Sequence, residues 1–175
     1  MTGVQTWCSS DLYAQFMNRL SLTARARIIQ MLVEGNSLRA TSRMADVSIN
    51  TVTKLLIDVG IAAAEFHDAT VRNVRVRRLQ CDEIWCFVGA KAKNVTVEQK
   101  AQGWGDVWTW TAIDADSKLC LSYLVGGRDG GWARDFMEDC AIRINGRVQL
   151  TTDGHKAYLE AVEGAFGAED RKSVV

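Results

Sequence analysis

Two carboxylates at the edges of apolar runs are the residues of this sequence best suited to chemistry. Asp82 lies near the start of an apolar and aromatic run over residues 79–89, and Asp153 lies near the end of a run over residues 147–154. Such runs predict buried strands, which would deliver each carboxylate to the edge of a sheet. Carboxylate oxygens suit Mg²⁺, and two such ions stabilise both reacting oxygens when a phosphodiester is cleaved. The pair predicts a site for Mg²⁺ or Mn²⁺, in which the neighbouring Glu83 could equally be the ligand.

Other polar groups near these runs also have structural interpretations. Asp153-Gly154 is a common turn or helix-cap sequence, and His155 and Lys156 after it would either cap the turn or touch a phosphate. Asp114 and Asp116 are interpreted as hairpin residues. Four tryptophans are predicted to be core rather than base-stacking residues: Trp104, Trp108, Trp110 and Trp132.

The composition of the 175-residue sequence is that of a globular protein, with 47% hydrophobic and 24% charged residues. No run approaches the roughly 18 apolar residues of a membrane helix, and the first residues lack the pattern of a signal peptide. We therefore expect a cytoplasmic protein with no membrane partner. Five cysteines without a Cys-x-x-Cys pair indicate neither a disulfide framework nor a zinc ribbon.

The net charge of zero conceals two halves of opposite sign. Residues 13–79 carry ten Lys or Arg against five Asp or Glu, a net charge of +5, whereas residues 80–175 carry eleven against fifteen, a net charge of −4. This division predicts one part that binds a polyanion and one part that performs metal-dependent chemistry on it. Ordinary scatter of surface charge is the alternative.

Three short helices are predicted in the basic half. Apolar spacing, capping residues and glycines indicate helices over residues 20–35, 38–44 and 49–58, the last ending near Gly60, with a three-residue break at 45–47. This pattern fits a helix-turn-helix module, with Ile49, Val52, Leu55 and Leu56 facing inward. The groups left to contact base edges and phosphates are Asn50, Thr51, Thr53 and Lys54 on the third helix and Arg39 and Arg43 on the second. A three-helix scaffold with a polar face is the alternative.

A basic connector follows at residues 70–78, after helix-like residues 61–69. Its arginines, which have no acidic residue among them, are Arg72, Arg75, Arg77 and Arg78. Such a run would be attracted to a phosphate backbone. A solvated edge strand with alternating valines is an equally good interpretation.

The acidic half predicts an α+β or α/β domain. After the strand at 79–89 and a polar loop at 91–105, alternating residues predict strands at 106–116 and 118–127 joined by a tight turn. A helix over residues 130–145 packs one face on the sheet, and the strand ending at Asp153 and a helix from His155 to about Gly164 follow. The order is thus three antiparallel strands, a helix, a fourth strand and a helix.

Several motifs, in order, give the sequence a resemblance to transposases of the insertion sequence one family. They are Cys81-Asp82-Glu83-Ile84-Trp85, Gly105-Asp106-Val107-Trp108-Thr109-Trp110, Asp114-Ala115-Asp116, Val125-Gly126-Gly127-Arg128-Asp129 and Thr151-Thr152-Asp153-Gly154-His155-Lys156-Ala157-Tyr158, with residues 32–41 upstream. The resemblance covers residues 18–169. It implies a helix-turn-helix domain at 18–69, the connector at 70–78 and a partial ribonuclease-H-like catalytic domain, a mixed sheet with flanking helices, at 79–169.

The resemblance also implies an activity. Asp82 and Asp153 would be the first two members of an Asp-Asp-Glu triad that binds Mg²⁺ or Mn²⁺, nicks the element end and joins its 3′-hydroxyl to target DNA. The implied partners are double-stranded DNA, both element ends and target, and further copies of the same bacterial protein.

Two features of the family are missing from the sequence. The third carboxylate of the family lies on a later helix in a Glu-Arg-x-Asn-like setting, and no such motif occurs here, since Glu160, Glu163 and Glu169 have the wrong surroundings. The cysteine-rich zinc element of the family is missing too. Because the third carboxylate is missing, we expect this chain to be inactive. Residues 1–12 and 170–175 resemble the translation of a sequencing-library adapter, so we expect both segments to be non-native and the chain to be an internal fragment.

Two other functions remain open. In the first, a DNA-binding regulator or inhibitor acts through the helix-turn-helix while the acidic half only dimerises. In the second, a nuclease on the same fold cuts DNA without joining it. Metal-dependent nicking would separate an enzyme from a regulator, which would show only salt-sensitive binding.

Overall fold

The computed structural model describes residues 20–167 and the backbone of Ser173–Val174. The segment 1–12, predicted to be non-native, lies outside the described residues, as do residues 170–172 and 175 of the predicted non-native tail. The chain forms two compact units, unit 1 over Met1–His67 and unit 2 over Asp68–Val175.

Unit 1 contains three helices, α1 (Leu22–Val33), α2 (Leu38–Ala45) and α3 (Ile49–Thr70). The hydroxyls of Ser21 and Ser37 accept hydrogen bonds from the backbone N–H of Ala24 (3.1 Å) and of Ala40 (3.2 Å), so each serine caps a helix as the sequence predicts. The core of this unit is formed by Ile28, Val52 and Leu55, which come from α1 and α3.

A short turn over residues 46–48 joins α2 to α3. Asp46 ends α2 in the left-handed conformation (φ 51°), and the Ser48 hydroxyl accepts a hydrogen bond from the backbone N–H of Thr51 at 3.1 Å. The two helices are bent by 113° relative to each other at this break. The turn thus presents the first residues of α3 at a sharp angle to α2.

Two predictions for α3 are wrong. The helix does not end near Gly60 but continues for 22 residues to Thr70, because one interior glycine costs only about 1 kcal/mol and does not break a helix by itself. Ile49 and Leu56 do not face inward, since they are 40% and 42% exposed. The buried face of α3 therefore contains fewer of its apolar residues than the sequence pattern predicts.

Unit 2 is built on a mixed sheet with strand order β3-β2-β1-β4-β5. Its strands are β1 (Arg78–Val88), β2 (Gly105–Asp114), β3 (Cys120–Gly126), β4 (Gln149–Thr151) and the two-residue β5 (Ser173–Val174). β1 pairs antiparallel with β2 and parallel with β4, and β2 pairs antiparallel with β3. The α+β architecture with a mixed sheet agrees with the sequence-based fold class.

Helices cover the sheet on the side where its core lies. α5 (Gly130–Arg143) and α6 (Ala157–Phe166) pack against each other, and α5 packs on β3. The largest fully buried side chains of this core are Trp110, Phe136 and Leu79. The predicted polar loop at 91–105 is more ordered than expected, because it contains a 3₁₀ turn (Ala92–Asn94) and the short helix α4 (Val97–Ala101), which begins with a capping box at Thr96.

The prediction that the whole of β1 is buried is wrong. Leu79 and Cys81 are buried, but Ile84, Trp85 and Phe87 are 59%, 39% and 42% exposed. Among the described residues, the second half of β1 lacks β4, because the β4 partners end at Gln80. The β1–β2 ribbon, residues 83–88 of β1 with residues 105–110 of β2, therefore extends beyond β4 with apolar residues in solvent, and β3 pairs with it only as far as Trp108.

Within the described ranges, no single helix combines the length and the apolar character needed to cross a membrane, although the bent pair α2 and α3 would pass that test together.

Candidate functional site

The carboxylates of Glu83 and Asp153 meet at one guanidinium, that of Arg128. Nε and Nη2 of Arg128 donate to Oε2 of Glu83 at 3.1 and 3.0 Å, and Nη2 lies 3.6 Å from Oδ2 of Asp153. The Glu83 side chain is fully buried, whereas those of Arg128 and Asp153 are 38% and 42% exposed. A buried carboxylate needs a compensating charge, and Arg128 supplies it. We refer to Glu83, Arg128 and Asp153 as the carboxylate cluster.

The topology of unit 2 explains why these residues meet. Glu83 lies in the middle of β1, and Asp153 lies two residues after the end of β4, the strand parallel to the start of β1. Arg128 lies on the turn between β3 and α5. The strand order thereby brings together three segments that are distant in sequence: strand β1, the turn after β3 and the turn after β4.

Aromatic side chains fix the turn that carries Arg128. The indole N–H of Trp110 donates to the carbonyl of Gly127 at 2.8 Å, and the Arg128 guanidinium lies 4.4 Å from the centre of the Trp108 ring. The Trp132 ring covers Gly126 and Gly127 so closely that a Cβ at either position would meet it at 2.3 or 2.7 Å. The turn therefore requires glycine for close approach and holds Arg128 in one position.

Behind Glu83 two buried polar atoms lack a partner with hydrogen-bond geometry among the described residues. They are Oε1 of Glu83 and the hydroxyl of Tyr158. Burial raises the pKa of Tyr158, and the nearby Glu83 carboxylate raises it further. The tyrosine is therefore a neutral neighbour of the cluster and does not act as a base.

Asp82 lies on the opposite face of β1 from Glu83, because successive side chains of a strand alternate. Asp82 is exposed, and its Oδ1 accepts a hydrogen bond from the backbone N–H of Glu83 at 2.8 Å. Oδ1 of Asp153 accepts from the backbone N–H of His155 at 3.0 Å, as in a capping turn. The pairing of Asp82 with Asp153 at a catalytic site stays a prediction, while the residue that shares a cation with Asp153 is Glu83.

The donor set does not fit the Mg²⁺ or Mn²⁺ site that the sequence predicts. No group of three or more His, Cys, Asp or Glu side chains in the described part of the chain is arranged to hold a metal ion. The guanidinium of Arg128 already lies against Glu83 and Asp153. As arranged, these two carboxylates form an internal ion cluster rather than a set of metal ligands.

The predicted DNA-contact residues of unit 1 separate into two groups. Arg39, Arg43, Asn50 and Lys54 are exposed. Thr51 and Thr53 are only partly exposed, and their hydroxyls are engaged internally, with the Ser48 hydroxyl at 2.8 Å and with the carbonyl of Ile49 at 2.9 Å. Among the predicted contact residues, the side chains exposed to solvent are therefore those of Arg39, Arg43, Asn50 and Lys54.

An open cleft of about 730 Å³ adjoins this surface between α1 and α3. Arg25 of α1 lines it together with Thr51 and Lys54. Sequence reasoning missed Arg25, because only the packing of α1 on α3 brings it beside Lys54.

The connector 70–78 is attached to the rest of unit 2 rather than solvated. Val74 exchanges backbone hydrogen bonds of 2.8 Å with Arg143 and Asn145, and Val71 and Val76 are buried. Of its four exposed arginines, Arg72 forms an ion pair with Asp68, and Arg78 forms one with Asp116. The remaining two, Arg75 and Arg77, are the more available for a phosphate.

The hairpin interpretation of Asp114 is confirmed. Its carboxylate accepts hydrogen bonds from the backbone N–H of Asp116 and Ser117 at 3.2 Å each and from the Ser117 hydroxyl at 2.5 Å. These bonds, the Ser117 hydroxyl first, keep the pKa of Asp114 below its ordinary value although burial opposes the shift. Trp110 is a core residue as predicted, whereas Trp104, Trp108 and Trp132 are only partly buried.

Sequence reasoning also missed Arg128 and Trp85. Arg128 lies in a glycine-rich turn that carries no catalytic pattern of its own, so only the meeting of three segments reveals its role. Glu83, Trp85 and Phe87 are two residues apart along β1, so their side chains lie on one face of the strand. This spacing was the available signal that a carboxylate and aromatic rings share that face.

Comparison with known proteins gives no relative from which to assign the chain: no protein-family model matches it, and no curated protein matches it.

Proposed function

We propose that this chain is a DNA transposase polypeptide in which unit 1 binds element ends and unit 2 is a ribonuclease-H-like domain for DNA cleavage and strand transfer. The observation that carries the proposal is the sheet of unit 2, with order β3-β2-β1-β4-β5 and a parallel β1–β4 pair. The parallel pair makes neighbours of the strand that carries Asp82 and Glu83 and the strand that leads to Asp153, as a site built on both segments needs.

The geometry of unit 1 supports the DNA-binding part of this proposal. Two helices joined by a three-residue turn and bent by 113° match the helix-turn-helix, in which the second helix enters the major groove. Asn50 and Lys54 are four residues apart on α3 and exposed, and Arg39 and Arg43 have the same spacing on α2. An amide can read adenine, while the cations bind phosphates.

Neutralisation of Arg39 tests DNA binding by unit 1. In Arg39→Gln we expect weaker binding to a duplex carrying element ends and a slope of log affinity against log salt reduced by about 1, since one phosphate contact is lost. Arg134→Gln, which removes an exposed arginine of α5 in unit 2, is the matched control and should leave both quantities unchanged. If Arg39→Gln and Arg134→Gln bind the duplex with the same affinity and the same salt dependence, unit 1 does not contribute to the DNA interface.

Strand transfer tests the catalytic part. The variants Asp82→Asn, Glu83→Gln and Asp153→Asn are compared in a version of the protein that carries out strand transfer, with duplex binding measured beside it. We expect Asp153→Asn to lose joining and to retain duplex binding. We expect the same of Asp82→Asn or of Glu83→Gln, whichever residue supplies the second carboxylate of the site. Full joining by Asp153→Asn would reject the site.

A second function, a DNA-binding regulator without catalysis, is favoured by one observation. Arg128 already forms ion pairs with Glu83 and Asp153, and no group of three or more His, Cys, Asp or Glu side chains in the described residues is arranged to hold a metal ion. A regulator would bind duplex DNA in a salt-dependent way and would not nick it with Mg²⁺ or Mn²⁺ present. Metal-dependent nicking by the full chain would reject this second function.

A further inference from the structure

One face of the β1–β2 ribbon carries aromatic side chains in a row that begins at the carboxylate cluster. Glu83 is the cross-strand partner of Trp110, Trp85 is the partner of Trp108, and Phe87 is the partner of Asp106. Directly opposed residues lie on the same face of a sheet, so Glu83, Trp85 and Phe87 follow one another on that face over about 14 Å.

The outer part of this row is open to solvent. Trp85 and Phe87 are 39% and 42% exposed, and their ring centroids lie 5.8 Å apart. Exposed aromatic side chains gain less free energy from burial than the same side chains do in a core. Exposed apolar patches rimmed by polar residues mark interaction sites.

Two cations lie against rings of this face. Nζ of Lys91 lies 5.0 Å from the centre of the Trp85 ring, and the guanidinium of Arg128 lies 4.4 Å from that of Trp108. Asp106, the cross-strand partner of Phe87, accepts a hydrogen bond from the backbone N–H of Ala92 at 2.8 Å. Exposed aromatic rings beside a cation are complementary to bases and their phosphates.

We infer that Trp85, Phe87 and Lys91 form a stacking platform for unpaired nucleotides, which leads a single strand of DNA to the carboxylate cluster. The inference rests on the proposed action of the chain on DNA. A single strand is the occupant that fits, because base pairs in a duplex hide the ring faces that an aromatic side chain would stack on. The exposed rings bind bases without sequence preference, and Lys91 attracts the phosphates between them.

The test measures the affinity of the full chain for a fluorescent 12-nucleotide oligodeoxythymidine and, in parallel, for a duplex. Loss of one base–aromatic stack is expected to weaken oligonucleotide binding about tenfold in Trp85→Ala and in Phe87→Ala. Ile84→Ala is the matched control, since Ile84 is an exposed apolar residue of the same strand on the opposite face. Ile84→Ala should bind as the wild type does.

Two further variants keep the test decisive if Trp85→Ala does not fold. Lys91→Gln changes an exposed side chain and should reduce the salt slope of oligonucleotide binding by about 1. Trp85→Phe keeps a ring, so it should retain most of the affinity while losing the part of the tryptophan fluorescence that the oligonucleotide quenches in the wild type.

The outcomes separate this inference from the proposed function. Equal oligonucleotide affinity in the wild type, Trp85→Ala, Phe87→Ala and Lys91→Gln, or no oligonucleotide binding by the wild type, overturns the platform whatever the duplex does. Loss of self-association in Trp85→Ala with unchanged oligonucleotide binding would assign the surface to a protein contact and also overturn it. Failure of duplex binding alone would count against unit 1 and leave the platform supported by its own variants.

Discussion

Arg143 is a buried guanidinium whose contacts join three segments of unit 2. Its Nε donates to Oδ2 of Asp139 at 2.6 Å, Nη1 donates to the carbonyl of Val71 at 3.2 Å, and Nη2 donates to Oδ1 of Asp68 at 2.9 Å. The same Asp139 oxygen accepts from the Ser122 hydroxyl at 2.6 Å. A buried arginine with this many partners is a structural residue, in contrast to Arg128, which is partly exposed.

The Asp139–Arg143 pair predicts a loss of stability in acid. Burial alone would raise the pKa of Asp139, but the hydrogen bonds from Arg143 and Ser122 and the charge of Arg143 keep it below the ordinary value. Because the pKa is lower in the folded state, this stabilisation is complete above the unfolded pKa of about 3.9 and is lost as the pH falls through the folded value. Asp139→Asn should therefore flatten the fall of the unfolding free energy below about pH 4, as measured by urea denaturation at several pH values.

At neutral pH Asp139→Asn should lower the unfolding free energy by about 2 kcal/mol, since charged hydrogen bonds to a buried group are removed. Asp135→Asn changes an exposed carboxylate of the same helix and should cost less than about 0.5 kcal/mol. If both variants lose the same stability, the pair makes no special contribution.

At the scale of elements, the structure reinterprets α3 as one continuous helix. Gly60 lies in its interior, and an added Cβ would meet nothing within 4 Å. Gly60→Ala should therefore raise the unfolding free energy by about 0.5–1 kcal/mol. Gly35 follows α1 with φ +83°, so Gly35→Ala should instead lower it by about 1 kcal/mol. Thermal unfolding of the two variants checks the signs, and destabilisation by Gly60→Ala would indicate that the helix is interrupted there.

The turn between β3 and α5 gives a second prediction for an element. Gly126→Ala would place a Cβ 2.3 Å from the Trp132 ring. The ring or the turn must move, at a cost of about 1–3 kcal/mol, and Arg128 should shift with it. Gly130→Ala, at the start of α5, meets nothing within 4 Å and should be neutral or slightly stabilising. Urea denaturation measures both, and equal stability of the two variants would show that the turn is not tightly held.

These elements also show what can be read from sequence and what depends on contacts between distant segments. Ser21 and Ser37 cap their helices as predicted, and the turn chemistry of Asp114 was visible because its partners lie two and three residues away. The burial of β1 was predicted wrongly, because apolar composition does not reveal where the partner strand β4 ends. The carboxylate cluster was out of reach for the same reason: Glu83, Arg128 and Asp153 are brought together only by the order of the strands.

At the scale of the whole molecule, the described residues form two hydrophobic cores. One is centred on Ile28, Val52 and Leu55 in unit 1, and the other, which includes Leu121, lies between the sheet and helices of unit 2. The first is small, so its stability depends strongly on each member. The sequence indicated this division through charge, since residues 13–79 are basic and residues 80–175 are acidic, and through the helical pattern of residues 20–58.

Two cores predict two unfolding transitions that can be shifted independently. Five of the six tryptophans lie in unit 2, so in a Trp7→Phe background the fluorescence of the chain reports that unit alone, while far-UV circular dichroism reports the helices of both. Ile28→Ala removes a core side chain that is 1% exposed, which costs about 2–5 kcal/mol. It should lower the denaturation midpoint of part of the dichroism signal and leave the fluorescence midpoint unchanged. Leu121→Ala, which creates a cavity in the other core, should shift the fluorescence midpoint instead. Simultaneous shifts of both signals in both variants would mean that the units unfold as one, because separate cores lose their stability separately.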